Sequence, residues 1–208
     1  MNAPVIARTA LRLLGTVGLD GLTMRVLATE LGVRPAALYW HITNKQALLD
    51  AMAAIMYAEA DEGLEAPRRT EDWAHWCGER ARRLRHVMLS YRDGARVLAG
   101  RHVTNAERVR ATELTLRTLQ DAGFDLSHAV HGIAAILDYT VGATLEAQAR
   151  QAEDHPYHPG KLGELINPQR FPLTTAALSQ RFHTDTDTAF EHGLQVIIAG
   201  LRTRYLDH

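Results

Sequence analysis

Apolar residues in this 208-residue chain recur at three- and four-residue intervals almost from end to end, and strand-like alternation is scarce. Such a chain must bury helical stripes against one another, so the expected fold class is all-α. The first stripe, Ile6, Ala10, Leu13, Leu14 and Val17, has Pro4 near its first turn and Gly18 beyond its end. A second helix fits 23–31, with Val26, Leu27 and Leu31 inward and Gly32 closing it through a positive φ. Pro35 suits the first turn of a short third helix ending near Ile42. Residues 43–46 have capping-box spacing, which starts a fourth helix with Leu48, Leu49, Met52 and Ile55 on its apolar side.

A polar seam at 61–70 carries Pro67, and helices are expected beyond it at 71–90, 93–100, 105–122, 125–150 and 186–205. Between the last two, residues 154–173 hold four of the seven prolines, with one short helix expected near 173–179. The division this implies is 1–45 as a small N-terminal domain and 46–208 as a larger helical one.

Composition narrows the class further. A hydrophobic fraction of 46% with 23% charged residues belongs to an ordered globular protein. No apolar run approaches the ~18 residues of a membrane span, so a cytoplasmic protein without a membrane partner is expected. The single cysteine, Cys77, rules out an internal disulfide and cannot alone build a thiolate metal site. Net charge is −1, yet the first fifty residues carry five basic side chains against three acidic ones. That excess is a small pull toward an anionic partner.

Residues 32–45 read GVRPAALYWHITNK. Neighbouring helical positions point about 100° apart, so Tyr39, Trp40 and His41 cannot all face one core. Trp40 is the ring expected to pack partly into the small domain. Two short helices joined by a glycine turn, the second ending in aromatics, form a helix-turn-helix pattern, in which the second helix enters the major groove. Thr23 and Arg25 can then meet phosphates or base edges, and Arg34, Pro35, Ala36 and Ala37 form the leading turn of the reading helix. Alanine methyls can touch a thymine methyl, and Arg34 can reach a guanine or a phosphate. Tyr39, His41 and Lys45 offer donors to phosphate oxygens. An ordinary three-helix bundle with Tyr39 and Trp40 in its core is the competing reading of the spacing.

The run LTMRVLATELGVRPAALYWHITNKQALLDAM resembles the DNA-binding domain of the tetracycline repressor (TetR) family, above all in LYWH and NK-x-ALLDA. The stretches LSYRDGARVLAG, DAGF, YTVGATLEAQ and FEHGLQVIIAGL resemble the ligand domain of the family's tetracycline-sensing branch. The resemblance implies a homodimeric repressor that sits on palindromic double-stranded operator DNA and releases it when a small-molecule inducer binds the C-terminal domain. It also implies dimerisation through two C-terminal helices. Gly132, Ala135, Tyr139, Gly142 and Glu146, with Phe190, Leu194, Ile197 and Leu201, have spacing that suits such an interface and equally suits an intrachain core.

Within that branch a magnesium–drug chelate is held by a histidine, polar groups of neighbouring helices and, through water, a glutamate. Here the histidine position falls on Leu98 and the nearby threonine position on Arg101. Asp61 stands at another histidine position, Arg80 and Leu84 replace an asparagine and a phenylalanine, and Glu146 is kept. An aliphatic side chain cannot ligate Mg²⁺ and a guanidinium repels it, so the inducer implied is a hydrophobic, antibiotic-like or polyketide-like molecule other than Mg-tetracycline. Candidate lining residues are Asp61, Arg80, Leu84, Leu98, Arg101, Thr112, Thr115, Ile133, Leu137, Asp138 and Glu146. Arginines beside Asp61 and Asp138 suit either an acidic or hydroxyl group on that molecule or an internal set of ion pairs.

Eleven histidines invite a metal reading. His128 with His131, and His155 with His158, have i, i+3 spacing, but neither pair has an evident third ligand. No nucleophile elbow, phosphate loop or dinucleotide signature occurs, so neither catalysis nor a cofactor is expected. A helical structural or protein-binding protein without inducer response remains the alternative to a ligand-responsive repressor.

Overall fold

The structure, a computed structural model, describes residues 2–67, 72–101, 105–150 and 166–206. Among the described residues there are ten helices and no strand: α1 (Ala3–Gly21), α2 (Met24–Glu30), α3 (Pro35–Tyr39), α4 (Lys45–Ala60), α5 (Trp73–Ser90), α6 (Gly94–Leu98), α7 (Ala106–Asp121), α8 (Leu126–Arg150), α9 (Pro172–His183) and α10 (Thr186–Tyr205).

Side-chain caps start most of them. Asn2, Thr23, Asn44, Asp72, Asn105 and Asp185 each accept a first-turn backbone N–H. A cap of this kind contributes about 1 kcal/mol. The expected capping box at 43–46 is corrected by one residue: Asn44, not Thr43, caps α4, its Oδ1 accepting from Ala47 N–H at 2.8 Å. The short helix expected at 173–179 runs longer, from Pro172 to His183.

Two apolar cores hold the helices together. The first joins Ile6, Leu14, Leu22, Leu27, Leu38 and Ile42 of the N-terminal helices to Leu48, Met52 and Met56 of α4, and continues into Met88, Val97 and Leu98. The second gathers Trp73, Trp76, Leu119, Phe124, Ile136, Phe190 and Leu194 around α5, α7, α8 and α10. Since α4 belongs to the first core and its C-terminal end approaches α5 and α7, it physically links the N-terminal helices to the body.

The stripe expected to form an interface divides. Gly132, Phe190 and Leu194 are buried within the chain, and Ile197 and Leu201 pack against its second core. Tyr139 does likewise, its hydroxyl donating to the Phe190 carbonyl at 2.9 Å. Ala135, Gly142 and Glu146 are exposed. The outward apolar face of α8 and α10 instead includes Val130 and Val196, 48% and 58% exposed. The stripe alone could not separate these two faces because a 3.6-residue period puts large residues on both sides of a long helix.

Candidate nucleic-acid interface and ligand cavity

At the N-terminal end, α2 and α3 meet through a turn at Gly32, whose φ of 66° is a conformation that side chains with a Cβ rarely adopt. Val33 N–H donates to the Ala28 carbonyl at 3.0 Å and fixes the angle between the helices. Leu38 and Ile42 point inward and are almost fully buried. Trp40 lies two positions from each, about 200° around a helix, and therefore faces out. The expectation that Trp40 packs into the small domain is thus corrected: it is 89% exposed, against 48% for Tyr39. His41, Arg25, Arg34, Pro35 and Ala36 are exposed as well, and Ala37 is half-buried.

Thr23 has a double part. Its hydroxyl oxygen accepts from Val26 N–H at 3.1 Å, which leaves the hydroxyl proton free to be given outward. Arg25 and Arg34 form no ion pair among the described residues. Lys45 donates to the Leu19 carbonyl at 3.3 Å, tying α4 to the end of α1 and keeping two further N–H donors. The surface thus presents cations and rings that the fold itself does not consume.

A cavity lies between α4, α5, α7 and α8, with about 60 Å³ accessible to water-sized molecules inside about 530 Å³ of non-atom space that runs out into solvent. Asp61, Arg80, Leu84, Thr115, Ile133 and Leu137 line it, as the sequence led one to expect. Tyr57, Ala60, Cys77, Ala81, Arg108, Ile136 and Thr140 also line it, and sequence reasoning missed them. For Ile136 and Thr140 the helical spacing from Ile133 and Leu137 was an available signal; for Arg108 none was.

The remaining expected lining residues lie elsewhere. Leu98 is 2% exposed and fills the first core. Arg101 pairs with Asp50 at 3.0 Å and so fastens α6 to α4. Thr112 is exposed and bonds the Arg108 carbonyl. Asp138 is exposed on α8, and Glu146 lies in a separate surface groove with Arg150 and Arg181. None of the five faces the cavity: Leu98 is held in the first core, Arg101 is held by Asp50, and Thr112, Asp138 and Glu146 lie on exposed helix faces.

Inside the cavity Arg80 Nη2 meets Asp61 Oδ1 at 2.8 Å, and Arg108 Nη1 meets Asp61 Oδ2 at 3.3 Å. Arg80 Nη1 also donates to the Thr115 hydroxyl, which donates in turn to the Ala111 carbonyl at 2.7 Å. The Arg80 guanidinium lies 5.1 Å from the Trp76 ring centre and that of Arg108 lies 4.1 Å from Tyr57. Burial pushes the Cys77 thiol up to about 12 and also raises Tyr57, so both stay neutral. Mg²⁺ does not fit this donor set: the one carboxylate among the described lining residues is already shared by two guanidiniums.

A chain of contacts connects cavity and reading surface. On α8, two turns beyond Thr140, Gln148 accepts from Ala95 N–H and donates to the Met88 and Tyr91 carbonyls, clamping the α5–α6 turn. Asp93, at the start of α6, accepts from Leu19 N–H at 2.8 Å. Arg96 grips Asp20 with both terminal nitrogens, at 2.8 and 3.1 Å, beside the end of α1.

A reading surface of exposed cations and rings, a helical body with its own cavity and a bonded route between them define a two-part helix-turn-helix regulator. Residues 6–52 match the family described as bacterial regulatory proteins, tetR family, and residues 66–205 match the tetracyclin repressor-like C-terminal domain. The chain belongs to the TetR family. It is 42% identical to the class A tetracycline repressor protein of transposon 1721 from Escherichia coli, over 97% of this chain and 90% of that protein. A possible TetR family transcriptional regulator from Streptomyces coelicolor A3(2) superposes with a TM-score of 0.87 at 36% identity, covering 97% of this chain and 99% of that one. ActR of Streptomyces coelicolor, solved in complex with actinorhodin, gives 0.82 at 29% identity, covering 99% and 97%.

Proposed function

We infer that this protein is a ligand-responsive transcriptional repressor: a homodimer that binds palindromic operator DNA through residues 1–45 and releases it when a small hydrophobic molecule enters the body formed by 46–208. The observation that carries the reading is the bonded route from the cavity wall through Gln148, Asp93 and Arg96 to the end of α1. A helical structural protein has no need to join a cavity to an exposed, unconsumed surface in this way. Action is by binding and not catalysis, and takes place in the cytoplasm, where the DNA is; no helix among the described residues is long and apolar enough to cross a membrane.

Thr23, Arg25, Arg34, Pro35, Ala36, Ala37, Tyr39, Trp40, His41 and Lys45 form the DNA surface in this reading. Tyr39, Trp40, His41 and Lys45 position the head on phosphates, and residues 34–37 specify the base sequence. The outward apolar face of α8 and α10 supplies the dimer contact, which sets two reading helices roughly 34–36 Å apart. Ligand in the cavity shifts α6 against α1 and α4 and changes that separation. A coupling of about 1–3 kcal/mol loosens operator binding some 5- to 150-fold.

The test is fluorescence anisotropy with labelled DNA from upstream of the protein's own gene, across a salt series and then against a library of aromatic natural products. Salt-dependent, sequence-selective binding with release by some compounds is expected. A compound that binds the protein with equal affinity in the presence and absence of operator rules the mechanism out.

A further inference from the structure

Charge within the cavity is not balanced. Three formally charged side chains line it among the described residues, Asp61, Arg80 and Arg108. Both Asp61 oxygens are engaged, one by each guanidinium, so a single negative charge answers two positive ones. Neither neutral Tyr57 nor neutral Cys77 makes up the difference. Asp138 on α8 acts on Tyr57 from outside the lining, where it is exposed and its charge is screened by solvent.

Hydrogen-bond capacity is likewise in excess. A guanidinium carries five N–H donors in a fixed fork. Arg80 Nε is buried with no acceptor at all. Arg108 reaches Asp61 only through a 3.3 Å contact and otherwise stacks on the Tyr57 ring. Acceptors are what the site lacks, because the Thr115 oxygen already takes an Arg80 N–H. The rest of the wall is aliphatic: Ala81 and Leu84 from α5 face Ile133, Ile136 and Leu137 from α8. A buried cation without a counter-charge is costly, and a bound anion removes that cost.

Resting on the repressor reading above, we propose that the inducer is an organic acid, with a flat apolar body held between α5 and α8 and one anionic oxygen group held by Arg80 and Arg108. A cationic ligand would have to compete with both arginines for Asp61. A neutral hydrocarbon would fill the aliphatic wall and leave the arginines as they are.

The experiment uses three probes of equal shape, 2-naphthoate, 2-naphthalenemethanol and 2-naphthylmethylammonium, titrated calorimetrically into the full-length protein at neutral pH. Naphthoate should bind at least about tenfold more tightly than the alcohol, and the ammonium most weakly, as one charge-assisted contact in a dry site implies. Arg108→Met should erase the naphthoate preference while leaving alcohol affinity within about threefold, and Arg108→Lys should restore part of it. Circular dichroism melting of each variant separates loss of folding from loss of recognition. Equal or tighter binding of the alcohol, or a naphthoate preference that survives in both Arg108→Met and Arg80→Met, overturns the assignment. If alcohol and acid bind alike and both release operator DNA, only the acidic-ligand inference falls. If no probe binds the protein or moves it from operator, the cavity reading falls together with it.

Discussion

In the reading head, Trp40 stands in solvent and Arg25 and Arg34 have no ionic partner among the described residues, whereas in the cavity each charged side chain grips another. In the proposed function, the head's unpaired cations suit a phosphate backbone, which arrives as a dense and strongly charged surface. In the same proposed function, the cavity's locked cations suit a small partner that must find the donors already arranged, with little ordering left to do at binding. Loose surface chemistry and pre-arranged interior chemistry therefore coexist in one chain, and what separates them is whether the ligand or the protein supplies the order.

Substitutions at the joint, in the cavity and in the head test that contrast in descending order of effect. Gly94→Ala should be the most damaging, because a Cβ there would lie 2.2 Å from the Met88 carbonyl oxygen. A loss of about 3 kcal/mol is expected, seen as a fall in Tm with operator and ligand binding lost together. Asp61→Asn should cost about 2 kcal/mol, less than a fully buried pair since its side chain is 17% exposed. The same variant should tighten naphthoate binding and leave operator affinity within about threefold, measured by calorimetry and anisotropy.

Ala37→Thr should re-rank operators by about 1–3 kcal/mol between base variants, while Tyr39→Phe should weaken every operator alike by about 1 kcal/mol. Selection from randomised operators reads both, and equal loss on all sequences for the two variants would end the division into specifying and positioning residues. Arg96→Ala should spare both binding events and shrink the ratio of operator affinities without and with inducer by several-fold, since it cuts the grip on Asp20 together with the 3.2 Å pair to Asp93. If the ratio is unchanged, release travels by another route.

The smallest effect concerns acid. The hydrogen bond from Arg82, aided by one from Gln195, lowers Glu191 from 4.5 to about 2. A carboxylate depressed in the folded state contributes stability above its unfolded value, and that contribution disappears as pH falls from roughly 4.5 towards 2. The Glu191 side chain is 41% exposed, so solvent screening holds the gain below about 1 kcal/mol. Glu191→Gln should lower Tm by about a degree or two at neutral pH and match the parent protein near pH 2, so that its Tm falls less across that interval.

How far each region was legible follows from where its information lies. The head is set by local signals: Thr23 as cap, Gly32 at positive φ and Pro35 in a first turn all act within a few residues. Even there the hydrophobicity of Trp40 misleads, because its angular position between the inward Leu38 and Ile42 sets the ring in solvent. The cavity depends on meetings that local pattern does not encode. Asp61 finds Arg80 across 19 residues and Arg108 across 47. Arg101, an equally plausible arginine by position, finds Asp50 instead and leaves the cavity. Periodicity fixes which residues share a helix face; it does not say which face meets which across four helices.

The exposure of Trp40 also equips the protein with its own optics. The other two indoles, Trp73 and Trp76, are buried in the body, and Trp76 lies against Arg80 at the cavity. Dissolved iodide should thus quench the red edge of the emission and spare the blue edge, giving one signal for each end of the molecule. Operator DNA should protect the red component and a bound inducer should perturb the blue one, so a single unlabelled sample would report which end responds first after mixing.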